Sequence, residues 1–291
     1  MMIKQVLADK RKLLEDYLET ILNDEGDLLQ ESMAYSLRAG GKRLRPALFL
    51  ITSELYGLES EKVLPFAAGI EMIHTYSLIH DDLPAMDNDD YRRGRLTNHK
   101  VFGEAQAILA GDGLLTEAFA MMCRVGGAVP AERVLSAVAL TAEAAGIGGM
   151  VRGQTKDILA EGKSLTLDEL RSVHYDKTGA LIRLSVTAAG ILAGAGEEDL
   201  NALMNSGDRL GLAFQIIDDI LDHESTFEEL GKPIGSDEEN NKTTYITLLG
   251  IDGAKKAAAE AADEADRWAE KLSVDGTVLK ELSDELLNRR K

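Results

Sequence analysis

Apolar residues recur at three- and four-residue spacing along most of this chain, and alternating apolar–polar runs are scarce. That periodicity predicts helices over 4–23, Leu28–Leu37 and Leu44–Leu55. Ala39-Gly40-Gly41 stops the second, and Pro46 suits the first turn of the third. Pro65 opens a further helix through Phe66, Ile70, Ile73 and Leu78 towards Asp81, and Pro84 ends it, because proline lacks an amide donor and clashes inside a helix. The polar stretch 84–100 reads as an exposed loop. Helices follow near 104–124, 131–145, 166–174, 176–194 and 198–222. Residues 223–241, with Gly231, Pro233 and Gly235, read as a second loop. The remainder, 243–290, is predicted helical, and its Ala/Glu stretch 254–271 reads as a solvated amphipathic helix without a chemical role. No linker rich in Gly, Ser and Pro divides the chain, so 1–291 reads as a single domain.

Composition sharpens this to an all-α protein. Hydrophobic residues reach 45%, enough for a sizeable core, and there are only 5 prolines. The net charge of −18 argues against a nucleic-acid surface, which needs a basic stripe, and against binding to anionic lipid. An anionic substrate would have to be held by a local basic cluster or by metal. The one cysteine, Cys123, cannot form an internal disulfide, which fits a reducing cytoplasm, and it reads as a small buried hydrophobe. Met1 to Leu22 is charged throughout, with no apolar signal core. No run approaches 18 uncharged apolar residues, so a membrane span is not expected.

The candidate chemistry lies in two aspartate clusters. One is Asp81-Asp82-Leu83-Pro84-Ala85-Met86-Asp87; the other is Asp218-Asp219-Ile220-Leu221-Asp222. Both follow apolar helical stretches. Acids at a helix C-terminus are disfavoured by the helix dipole, so two ordinary acidic caps explain them poorly. Two carboxylates ~6 Å apart repel by roughly 3 kcal/mol at an effective dielectric of ~20. A fold that gathers six implies cations, and oxygen-only ligands favour hard ions such as Mg²⁺. Asp218 and Asp222 stand i, i+4 on one helical face. Asp81 and Asp87 would point about 240° apart on a straight helix, but the break at Pro84 lets Asp87 fold back. Basic sites accompany the acids: Gly40-Gly41-Lys42-Arg43-Leu44-Arg45, Arg92-Arg93, Lys177-Thr178-Gly179, Gly231-Lys232 and Asn241-Lys242. In so acidic a chain they look like a diphosphate-binding set. With about three Mg²⁺, the six aspartates, a diphosphate, Lys177, Lys232, Lys242 and Arg92 come near neutrality.

These residues resemble the trans-isoprenyl diphosphate synthases, most closely the bacterial group that makes farnesyl diphosphate. The match runs from about Gly40 to Tyr245 through GGKRLRP, EMIHTYSLIHDDLPAMDNDDYRRG, ILAGDGLL, GGMVRGQTKD, DKTGALI, FQIIDDILD and GKPIGSD…NKTTY. The resemblance implies an isoprenoid synthase-type bundle of ten or more helices around a central cavity, usually a homodimer. It implies that Asp81, Asp82 and Asp87, with Asp218, Asp219 and Asp222, bind Mg²⁺ bridged to an allylic diphosphate. Arg92, Lys177, Thr178, Gln215, Lys232 and Lys242 would surround that ligand; Lys42, Arg45, His74 and Arg93 would hold isopentenyl diphosphate. The implied reaction ionises the allylic C–O bond, lets the isopentenyl double bond attack the cation, and loses a proton to the released diphosphate. Lys177, Thr178 and Gln215 would lend their dipoles to the cation. Bulk four and five positions before the first aspartate sets product length in this family; here those positions are Ser77 and Tyr76, a farnesyl pattern. Arg152 and Lys156 fall where the family is less charged, and Gln154 and Asp157 are weak site candidates. His80 reads as a helix-end packing residue and His99 as a loop residue.

Other readings fit less. A geranylgeranyl (C20) synthase differs only in the cavity floor. A metal phosphohydrolase could use His80-Asp81, but it leaves Asp218 to Asp222 and Lys177 unexplained. A regulatory subunit of a prenyl synthase would usually lose an aspartate cluster, and a terpene cyclase would lack the Lys42–Arg45 segment.

Overall fold

A computed structural model describes residues 3–22, 26–224 and 242–288. In chain order the elements are α1 (Ile3–Leu18), α2 (Leu28–Leu37), α3 (Leu44–Leu55), α4 (Ser60–Asp81), a hairpin of β1 (Tyr91–Arg92) and β2 (Arg95–Leu96), α5 (Asn98–Phe102), α6 (Glu104–Cys123), α7 (Ala131–Ala145), α8 (Met150–Ala160), α9 (Leu167–His174), a π-helical turn (Tyr175–Gly179), α10 (Ala180–Ala193), α11 (Glu197–Glu224), α12 (Tyr245–Ala269) and α13 (Thr277–Leu287). The protein is all-α, and the hairpin is the only sheet among the described residues. The chain forms two compact units: residues up to Glu54 with Leu58–Val138, and Leu55–Gly57 with the chain from Ala139 onward.

In the first unit, α3 and α4 bury Phe49 against Phe66, stacked at 5.1 Å and 14°. Gly69 lets α4 press onto α6: a Cβ there would meet the Ala118 carbonyl at 2.8 Å. In the second unit, buried Ala254, Ala258, Ala261, Ala262, Ala265 and Ala269 form a small-residue stripe along α12. Ser206 on α11 donates to the Ala265 carbonyl at 3.1 Å, so the two helices lie close. Stretch 254–271 is therefore solvated on one face and buried on the other, as an amphipathic helix is.

Other expectations change. α1 ends at Leu18, short of 23. α4 starts at Ser60, so Pro65 lies inside it and forgoes one intrahelical bond rather than opening the helix. The loop 84–100 contains the hairpin and α5. Arg93 and Gly94 both take positive φ, 54° and 74°, the signature of a two-residue type I′ turn. His99 is buried in α5 instead of lying in a loop, and Thr97 Oγ1 sits 3.2 Å from its Nδ1. Helix α8 was not expected at all. Cys123 is exposed, not buried, because it ends α6 on the outer face. The stretch Ala131–Ala160 passes a test of length and composition for a membrane-crossing helix, but Glu143 interrupts its apolar run, so the expectation of no uncharged run near 18 residues holds. A turn at 146–149, carrying three glycines, splits it into α7 and α8.

Candidate active site

The first unit assembles a cationic pocket around the end of α4. Asp82 caps that helix, and its amide still donates to Leu78 O at 3.1 Å. After Pro84 the chain turns back: the Asp87 amide donates to Asp81 O at 2.8 Å, and Asn88, at φ 54°, donates to Leu83 O at 3.1 Å. The break that Pro84 enforces thus returns Asp87 to Asp81. The Asp82 carboxylate is almost fully buried and accepts from Arg92 Nε at 2.5 Å. Burial pushes its carboxyl up to about 7, with Arg92 opposing and the Asp89 and Asp81 charges adding to the rise.

Around this corner sit Arg43, Arg45, Arg92, Arg93 and His74. Arg43 is buried and pairs with buried Glu71 at 2.5 Å, donating also to Leu37 O at 2.7 Å. Arg93 donates to Gly40 O and lies 4.0 Å from Glu71. Its guanidinium covers Gly41, where a Cβ would fall 2.6 Å from Cζ; only glycine fits there, and its φ is 122°. Arg45 Nη1 lies 3.5 Å from His74 Nε2. Burial holds His74 neutral, well below its ordinary value, and the charges of Arg45, Arg93, Arg92 and Arg43 add to that. The structure therefore brings Arg45, His74 and Arg93 together, with Lys42 exposed on the same loop. Ser77 donates its hydroxyl to His74 O at 2.9 Å. Tyr76 is buried, its phenol raised to about 12 by burial and then by the Asp81 charge.

The second unit builds its site on the π turn. Asp176, on that turn, is gripped by Arg152 at 2.7 Å and Lys156 at 2.6 Å, both from α8. Gly153 lets α8 approach: a Cβ there would meet the Lys177 amide at 2.1 Å. Lys177 is held 2.6 Å from Asp157 of α8, and Lys242 lies 3.8 Å from the same carboxylate. Thr178 donates to Gln215 Oε1 at 2.8 Å, Gln215 donates to Asp219 Oδ1 at 3.3 Å, and the Tyr245 amide donates to Asp219 Oδ2 at 3.0 Å. This relay ties α12 to the π turn through α11. Asp219 thus serves as an anchor, while Asp218 and Asp222 stand one turn apart on α11. His174 stacks on Tyr245 at 5.7 Å, and burial lowers it to about 4. Asp157, His174, Lys177, Gln215, Asp219 and Lys242 line a cleft of about 640 Å³.

Lys232 lies outside the described residues. Asp157 and His174 join the site although sequence alone ranked the first as weak and passed over the second; the one available signal for Asp157 was its place in GGMVRGQTKD. Among the described residues, no three carboxylate, imidazole or thiol groups already converge on one point suited to a metal. The donor set itself is oxygen-only on both aspartate motifs, which fits Mg²⁺ in type.

The polyprenyl synthetase family model matches residues 26–281. The chain belongs to the polyprenyl synthetase family. The farnesyl diphosphate synthase of Bacillus subtilis (strain 168) is 49% identical over 281 residues, covering 96% of this chain and 95% of that one. A geranylgeranyl diphosphate synthase of Cyanophora paradoxa is 46% identical over 261 residues, covering 89% and 87%. Among solved structures, a geranylgeranyl pyrophosphate synthetase from the archaeon Geoglobus acetivorans superposes with a TM-score of 0.87 at 32% identity, covering 99% of each chain. In a polyprenyl synthetase the all-α architecture above is the expected one.

Proposed function

We propose that this protein condenses isopentenyl diphosphate with dimethylallyl and then geranyl diphosphate, releasing diphosphate each time and stopping at farnesyl diphosphate. The observation that carries this reading is the near-full-length likeness to a farnesyl diphosphate synthase, joined to a buried Tyr76 five positions before Asp81. In the first unit, Lys42, Arg45, His74 and Arg93 take the diphosphate of isopentenyl diphosphate. A neutral His74 adds a hydrogen-bonding ring there without adding charge. Arg92 supports the allylic side, and Tyr76 with Ser77 forms the floor. In the second unit, Lys177, Lys242 and Lys232 bind the allylic diphosphate, while the oxygens of Thr178 and Gln215 present dipoles to positive charge on the allyl group.

Asp81, Asp82, Asp87, Asp218, Asp219 and Asp222 are the residues to hold about three Mg²⁺. Bound there, the ions supply Lewis acidity that withdraws charge from the leaving diphosphate. The allylic C–O bond breaks with its electron pair going to diphosphate. The pair of the isopentenyl double bond forms the new C–C bond, and the proton lost afterwards goes to the released diphosphate. No side-chain nucleophile is required.

The family match spans both units, and we read 1–291 as one synthase domain. Val101 on α5 and Ile108 and Leu109 on α6 are exposed apolar residues, the type of side chain a second copy of the chain would cover in a homodimer. The single cysteine suits a cytoplasmic setting. The C20 reading is supported by the likeness to geranylgeranyl synthases, among them those of Cyanophora paradoxa and Geoglobus acetivorans. Incubating purified protein with isopentenyl and dimethylallyl diphosphates and Mg²⁺, then mass analysis, decides. A C15 product is expected; mainly C20 overturns the length, and no chain growth overturns the activity.

A further inference from the structure

Tyr76 does not rest on its own helix alone. It lies edge-on to His80, one turn further along α4, with ring centroids 5.7 Å apart at 78°. The His80 ring in turn lies against the backbone of α6. Its Nε2 is 3.1 Å from Ile108 O, and since a carbonyl only accepts, Nε2 carries the proton and donates. Asp112 Oδ1 stands 4.0 Å from the same nitrogen.

This approach is possible only because residue 111 has no side chain. A Cβ on Gly111 would sit 2.1 Å from His80 Nε2, 2.5 Å from Cδ2 and 2.8 Å from Cε1. The three nearest atoms all belong to the imidazole, so the space is reserved for that ring and not for general helix packing. Glycine weakens a helix interior, which makes its presence within α6 informative. Edge-on contact is one of the two arrangements that aromatic pairs favour over a face-to-face sandwich. A Tyr76 ring backed by a ring that is itself hydrogen-bonded to a neighbouring helix has little room to swing aside.

We infer that His80 and Gly111 are positioning residues for product length: seated on the glycine and bonded to Ile108 O, His80 holds the Tyr76 ring in place as the floor of the prenyl cavity. The inference rests on the reading of Tyr76 as that floor. Tyr76 is the group that meets the growing chain; His80 and Gly111 act only through it.

The test is product length in single and double variants, read as the C20 to C15 ratio even where turnover falls. His80→Ala leaves Tyr76 unsupported and raises the ratio on the order of tenfold, the scale at which a pocket senses one or two methylenes. Gly111→Ala lifts the imidazole off α6 and shifts the ratio the same way; it also serves if His80→Ala does not fold. KM for isopentenyl diphosphate stays unchanged in both, which a general loosening of the fold would not allow. Tyr76→Ala lengthens the product by itself, and adding His80→Ala to it changes nothing more. If Tyr76→Ala lengthens the product while His80→Ala and Gly111→Ala leave it at C15, the positioning role is overturned and the floor stands. If Tyr76→Ala also leaves C15, the floor reading fails and this inference with it. If the two substitutions add in the double variant, His80 acts on the chain directly and the proposed route through Tyr76 is wrong.

Discussion

The two aspartate motifs look alike as strings, yet the protein holds them by different means. The first stands at a broken helix end, among full charges: Arg92 on Asp82, Arg43 on Glu71, Arg93 within 4.0 Å of Glu71. The second sits inside an unbroken α11 and is braced by neutral donors: Thr178 donates to Gln215, and Gln215 and the Tyr245 amide donate to Asp219. Buried ion pairs lose heavily when one partner goes, because the other charge is left in a poor dielectric. A chain of neutral hydrogen bonds loses roughly one bond at a time. The first region should therefore fail abruptly and the second by degrees.

The largest test leaves the supports alone and removes the acids. Asp81→Ala or Asp218→Ala should lower kcat about a thousandfold in steady-state assays while the melting temperature stays near that of the parent. Near-normal turnover in either variant would remove that aspartate from the proposed metal set. Next, Arg43→Met strands Glu71, with Arg93 only partly compensating at 4.0 Å. We expect a loss of about 3 kcal/mol in denaturant unfolding. A loss no larger than that of the next variant would erase the contrast between the regions. Gln215→Leu cuts the relay but leaves the Tyr245 amide on Asp219, so about 1 kcal/mol of stability should go.

The smallest effect is a slope. His174 has a folded value of about 4 against an ordinary 6.5, so the fold favours the neutral ring. Its contribution is complete above pH 6.5 and declines as pH falls towards 4, at no more than about 1.4 kcal/mol per unit. His174→Phe should flatten stability measured between pH 6.5 and 4. An unaltered slope would place the acid sensitivity elsewhere.

Much of this was legible beforehand. Gly40-Gly41 and Pro46 marked the α2 and α3 boundaries, and both helices have the expected ends. The fold-back of Asp87 followed from Pro84 alone. The unread parts depend on distant partners. Helix α8 was missed because Gly153 and its charged residues look like a loop in isolation; Arg152 and Lys156 acquire meaning only from Asp176, and Asp157 only from Lys177. His174 has no local pattern, since its burial comes from stacking on Tyr245. The Tyr91–Leu96 hairpin was overlooked because its turn begins with arginine, where asparagine or aspartate is the usual cue.

The π turn at Tyr175–Gly179 carries a further consequence. Such a turn is what an α-helix becomes when one surplus residue is accommodated within it. Deleting a single residue there would restore ordinary winding with the helices on either side kept in register, and the residues of the turn itself would move by up to about 100° around the axis. Asp176 would swing away from Arg152 and Lys156, and Lys177 away from Asp157. One extra amino acid thus acts as a rotational shim: a shortened chain could form a smoother rod there while aiming its ammonium in the wrong direction.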